Sequence, residues 1–191
     1  MQSDPIFTSW PAQASALFKT QTLRLEHRLH TMPLFSEDGL AELISSYPRE
    51  YYSLIHMGAK GAEKKFWREG EIGSLDGRQV IEAIRNGRMW LNLRDVTEVD
   101  DRYRAVLDEV FAELSERVDG LVAPVRSAGI LISSPSAQVY YHADLPGQCL
   151  WQISGTKRIY VYPAAAPFVS PEHLEDIAVH GIEVNMPYEA W

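Results

Sequence analysis

The sequence predicts a mixed α+β fold, with helices and strands interspersed through residues 1–124 and an antiparallel barrel beginning within 125–191. Three observations carry this. Between Asp100 and Val118 the residues Tyr103, Val106, Leu107, Val110, Phe111, Leu114 and Val118 recur at helical spacing with charges between them. Segment 88–96 alternates with the period of a strand, and Tyr51 to Met57 reads as another. From Gln138 to Pro163, three strand-like runs follow one another, separated by turn residues.

Taken in order, Ala12 to Lys19 reads as a short helix, and Leu23, Leu25 and Leu29 alternate with charged or polar residues as in a half-exposed strand. His27 and His30 lie in that segment without an acid beside them and read as surface or interface residues. Ser36-Glu37-Asp38 starts a helix, with a hydroxyl cap and two acids in the first turn, and Leu40, Leu43 and Ile44 form its inner stripe up to Tyr47-Pro48. In the strand that follows, His56 reads as structural. Gly58 to Gly73 is a glycine-punctuated loop with Lys60, Lys64, Lys65, Arg68 and Phe66-Trp67, and it lacks the residue order of a phosphate-binding loop. Asp76 to Asn86 is a helix with Val80, Ile81 and Ile84 inward, stopped by Gly87. After the long helix, Gly120 and Pro124 break the chain and Val125 to Ser133 gives another strand. The whole reads as one domain of 191 residues without repeats.

Composition narrows the function classes. A formal charge of −8 argues against nonspecific nucleic-acid binding. No apolar run approaches the ~20 residues of a membrane span. The N-terminus has neither the basic start nor the apolar core of a secretory signal, so cytoplasmic residence is the expectation. A single cysteine, Cys149, excludes an internal disulfide and a cysteine-rich zinc site.

The grouping that looks assembled for chemistry lies at 138–163. Val139, Tyr140 and Tyr141 favour a strand, and in a strand His142 and Asp144 project to the same face, where an imidazole and a carboxylate can share a divalent metal. Leu145-Pro146-Gly147 is turn chemistry. Cys149 to Ile153 is expected as the next strand, and Lys157 to Tyr162 as a third, together an antiparallel meander. With six histidines and 26 acids in the chain, about one His-x-acid triplet arises by chance. His173-Leu174-Glu175 is such a match, but it follows Ser170-Pro171-Glu172, a helix start. Residues two apart do not share a helix face, so His173 reads as a surface residue.

The run HADLPGQCLWQISGTKRIYVYP, residues 142–163, resembles the signature of JmjC and cupin-like iron(II)/2-oxoglutarate-dependent oxygenases, especially the asparaginyl hydroxylases of the factor-inhibiting-HIF type. In that branch the metal-binding His-x-Asp is followed by a Q-[IV]-x-G-x-K-R segment and a proline, here Gln152, Ile153, Gly155, Lys157, Arg158 and Pro163. The resemblance implies a double-stranded β-helix, or jelly roll, preceded by N-terminal helices. It implies that His142 and Asp144 are two of three iron(II) ligands and that Lys157 pairs with the distal carboxylate of 2-oxoglutarate. Gln148 is a further candidate contact to that cosubstrate. Dioxygen is the other cosubstrate, and the expected substrate is a protein or peptide side chain.

Two departures accompany the resemblance. Where such enzymes often carry a hydroxyl residue three positions before the metal histidine, this chain has Val139, with Tyr140 and Ser136 as possible substitutes. The third ligand, a histidine, is expected after the last residue, Trp191, in which case the chain holds only the first half of the barrel; His180 is the alternative. Two other function classes stay open: a cupin-type metalloenzyme that does not use 2-oxoglutarate, and a barrel-bearing binding or regulatory module without a complete metal site.

Overall fold

Apolar alternation along two strands sets the centre of the fold. Along the strands Tyr52–His56 and Met89–Leu93, Tyr52 and Leu54 on one stand opposite Leu93 and Leu91 on the other, so four large side chains share one face. Leu91 and Leu93 are fully buried. The computed structural model describes residues 4–58, 67–135, 137–139, 141–144, 147–180 and 184–185. Its contacts divide the chain into two units, Met1–Ala137 and Gln138–Trp191.

The first unit runs β1 (Phe7–Ser9), α1 (Ala14–Leu17), β2 (Glu26–His27), α2 (Glu37–Ser45), β3 (Tyr52–His56), β4 (Arg68–Gly70), α3 (Gly77–Asn86), β5 (Met89–Leu93), α4 (Val96–Val99), α5 (Asp101–Arg117) and β6 (Ile130–Ser133). Short 3-10 turns precede α2 and β3. β3 to β6 form an antiparallel sheet in the order β4-β3-β5-β6. Ala41, Leu43 and Ile44 of α2 and Val80, Ile81 and Ile84 of α3 join the buried face of that sheet in one core with Val96 and Tyr103. Mixed α+β structure is thus what the chain forms, and the helices predicted over 36–47, 76–86 and 100–118 are present.

Local chemistry explains their limits. Ser36 caps α2 through Gly39 N, and Asp76 and Gln79 form a reciprocal capping box on α3. Asp100 caps α5 by accepting from Arg102 N at 2.9 Å. At Gly77 a Cβ would lie 2.0 Å from the carbonyl oxygen of Ala41. Only glycine therefore lets α3 start against α2, and the approach is sealed by Gly77 N donating to Ser45 Oγ at 2.8 Å. Buried Ser134 bridges α3 to the sheet, donating to Ile84 O at 2.6 Å and accepting from Met89 N at 2.8 Å. The α2–α3 ion pairs Glu37–Arg85 and Asp38–Arg78 are well exposed and add little.

At the N-terminus β1 pairs with β2. The carboxylate of Glu113 on α5 accepts from Phe7 N at 3.1 Å and also from Ile6 N. Arg117, one turn on, lies over the ring of Trp10 at 5.2 Å. The half-exposed strand expected over 23–30 shrinks to β2, and a 3-10 turn takes Leu29–Thr31 because the chain bends to bury Leu29.

The second unit holds β7 (His142–Ala143), α6 (Pro171–His180) and β8 (Val184–Asn185), with β7 and β8 antiparallel. The helix expected at Pro171 is α6, and Val169 and Ile177 are buried. The meander is not formed among the described residues. Cys149–Ile153 and Lys157–Tyr162 make no ladder, and β7 pairs instead with β8, far along the chain. Much of that stretch is open to solvent, with Leu150 at 55 % and Tyr160 at 67 % exposure. The turn at Leu145-Pro146 and nearly all of 181–191 lie outside the described residues, as does the lysine-rich segment 59–66. Among the described residues no helix is long and apolar enough to cross a membrane.

Candidate functional site

β7 carries the histidine of the His-x-Asp triplet, and Asp144 follows it directly. Extended backbone turns alternate side chains to one side. The structure has this arrangement: His142 Nε2 stands 3.4 Å from Asp144 Oδ2. The imidazole side chain is 26 % exposed and the carboxylate 56 %, so a nitrogen and an oxygen donor meet at the surface of the second unit with solvent access. Opposite His142 on β8 is Asn185.

A borderline divalent cation such as iron(II) accepts both imidazole nitrogen and carboxylate oxygen, so these two donors suit it. Their adjacency supplies two ligands of a facial set from one short piece of backbone. Among the described residues no group of three or more histidine, cysteine or acidic side chains is placed to hold a metal. His180, the alternative third ligand, stands exposed on the last turn of α6 and does not complete such a group with His142 and Asp144.

The decoy triplet is disposed of by its helix. His173 lies in the first turn of α6, where its backbone nitrogen donates to Ser170 Oγ at 3.2 Å, and its side chain is half-buried. The neighbouring Glu172 carboxyl is held below its ordinary range by backbone and Ser170 hydrogen bonds at the helix start. His27 and His30 have rings 6.1 Å apart, on β2 and the 3-10 turn after it, and join no metal-binding group among the described residues.

Lys157 and Gln148 are both exposed on the stretch that follows β7. Cys149, expected to be a small buried strand residue, is exposed as a whole residue. Its surroundings push the thiol pKa up by desolvation. Val139 is exposed, while Ser136 and Tyr140, the candidates to replace a hydroxyl there, lie outside the described residues.

One feature of this region carries no sequence signal. Tyr141, the residue before His142, donates from its hydroxyl to Phe168 O at 2.8 Å. Its ring meets Tyr162 edge-on at 5.5 Å, and Tyr162 in turn lies 5.2 Å from the ring of Phe168. The spacing 141, 162, 168 follows neither helical nor strand periodicity, so the sequence alone does not group these three residues.

Comparison with protein-family models, with curated proteins and with solved structures gave no match.

Proposed function

We propose that this chain is an iron(II)/2-oxoglutarate-dependent hydroxylase, or part of one, acting on a protein side chain in the cytoplasm. The observation that carries the reading is the convergence of His142 and Asp144 at 3.4 Å within the run that resembles the oxygenase signature. The decoy at His173 lies on a helix, where residues two apart do not share a face. The proposed fold of the C-terminal part is the first half of a double-stranded β-helix. The antiparallel pairing of β7 with the distant β8, in place of its nearest downstream run, supports that reading.

In this reading His142 Nε2 and Asp144 Oδ2 hold the iron, with a third ligand from outside the described residues. When bound, iron(II) and 2-oxoglutarate supply dioxygen activation, in which the cosubstrate is decarboxylated to succinate and a substrate C–H bond is hydroxylated. The chain's own part is binding and orientation. The Lys157 ammonium fixes the distal carboxylate of 2-oxoglutarate by a charge-assisted hydrogen bond, and Gln148 offers a neutral second contact. Asp144 neutralises one of the metal's charges.

The test is succinate release from 2-oxoglutarate by the full chain with iron(II) and dioxygen, run beside Lys157→Ala. Succinate production is expected, and the substitution should raise the apparent Kd for 2-oxoglutarate by at least about tenfold, because a carboxylate loses its charged partner. Iron affinity should stay as it was. Iron uptake without any succinate would instead support the binding-module reading, which is favoured by the two-donor set seen among the described residues. Equal loss of iron and 2-oxoglutarate binding in Lys157→Ala would remove that lysine's assigned role.

A further inference from the structure

The stretch that carries the proposed site runs within the second unit from Tyr141 to Tyr162. Every residue assigned above, His142, Asp144, Gln148 and Lys157, lies between those two tyrosines. The described residues of 147–161 form no ladder hydrogen bonds, and Leu150, Ile159, Tyr160 and Val161 are all more than half exposed. Backbone pairing therefore does not hold Lys157 in place. What does close the stretch is side-chain contact at its base. The Tyr141 hydroxyl donates to Phe168 O at 2.8 Å, the Tyr141 and Tyr162 rings meet at 5.5 Å and 89°, and Tyr162 lies against Phe168 at 5.2 Å and 33°. Edge-to-face and offset aromatic contacts have preferred geometries, so three such elements fix the two chain ends relative to each other. Tying the ends of a loop limits how far apart the groups it carries can move.

We infer that Tyr141, Tyr162 and Phe168 form a clasp whose role is to position Lys157 relative to the His142–Asp144 pair, so that a dicarboxylate bound to the metal finds its ammonium partner already near; this rests on the oxygenase reading. Tyr141 and Tyr162 are positioning residues. They touch neither metal nor cosubstrate but set the span between the groups that do. The two metal donors share one short extended segment and do not depend on the clasp for their mutual distance. The ammonium does depend on it. Preorganisation of this kind acts on cosubstrate affinity and leaves metal affinity alone.

The experiment uses the full chain and three variants, Tyr162→Ala, Tyr162→Phe and Tyr141→Phe. Iron(II) affinity and 2-oxoglutarate affinity of the iron-loaded protein are measured anaerobically by calorimetry, and amide exchange over 147–161 is followed in metal-free protein. Tyr162→Ala should loosen 2-oxoglutarate by about tenfold or more through loss of both ring contacts, accelerate amide exchange over 147–161, and leave iron affinity within about twofold, since no ligand is touched. Tyr141→Phe, which keeps the ring and loses one hydrogen bond, should loosen the cosubstrate by about fivefold. Tyr162→Phe, which keeps both ring contacts, should loosen the cosubstrate less than Tyr162→Ala does. If the parent binds iron and 2-oxoglutarate but Tyr162→Ala and Tyr141→Phe match it, the clasp is overturned and the oxygenase reading stands. A parallel fall of iron and 2-oxoglutarate affinity in Tyr141→Phe also overturns the clasp, because it marks a general structural role. If the parent binds neither ligand, the oxygenase reading falls and takes the inference with it.

Discussion

At Asp100 one carboxylate serves as both helix cap and ion-pair partner, and the two roles can be separated by substitution. It accepts from Arg102 N at 2.9 Å and faces the Arg102 guanidinium at 2.8 Å, while Arg102 also reaches Glu42 on α2 at 3.1 Å. The Arg102 side chain holds the Asp100 carboxyl below its ordinary pKa, outweighing the opposing effect of burial. A carboxyl whose folded pKa is depressed stabilises the fold above its unfolded pKa, near 4, and loses that contribution as pH falls through the folded value. Asp100→Asn keeps a cap acceptor and removes the charge, so its stability deficit should be present at pH 7 and should close progressively below about pH 4. Asp100→Ala loses the cap as well and should cost about 1 kcal/mol more. Denaturant midpoints of both variants across that pH range check this, and a deficit of Asp100→Asn that persists unchanged to pH 2 would deny the ion pair its role. The same scale shows what single residues made readable. His142 and Asp144 were recognisable as partners because alternation in extended backbone is local, and His173 was recognisable as a decoy because Ser170 and Pro171 announce a helix.

Among the elements, those whose signal is local were legible and those whose partner is distant were not. The caps Ser36, Asp76 and Asp100 and the stripes of α2, α3 and α5 are written within one or two turns of chain, and the structure has each of them. β3, β5 and β6 were legible as strands. β4 was missed because Arg68–Gly70 has no apolar alternation; its place comes from pairing with β3. The reverse error occurred at 149–153 and 157–162. There β-branched and aromatic residues give high strand propensity, which records how a side chain suits a pleated surface and not whether a neighbouring strand exists. The β7–β8 pairing joins segments whose contact has no trace in either one alone. In the first unit β3 and β5 are fastened by one buried face. Leu91, fully buried opposite Leu54, is its middle. Leu91→Ala should cost about 2–5 kcal/mol, the transfer loss plus a cavity, with the far-ultraviolet circular dichroism of the folded state retained. A loss below about 1 kcal/mol in chemical unfolding would show that the face closes around the gap.

At the scale of the molecule the chain makes two compact units, Met1–Ala137 with the sheet and its helices, and Gln138–Trp191 with the proposed site. The first owes its stability to a core drawn from α2, α3 and the sheet. Among the described residues the second has a smaller buried set, with Val169 and Ile177 supplemented by the aromatic contacts around Tyr162. The proposed function depends on the His142–Asp144 pair acting as a metal-binding unit. Its most direct test is an anaerobic iron(II) titration of the full chain beside His142→Ala and Asp144→Ala. The parent should bind iron saturably and each variant should lose at least about tenfold in affinity, since removing a ligand costs no less than disturbing one from outside the coordination shell. Identical iron affinity in all three proteins, or none in the parent, would contradict it.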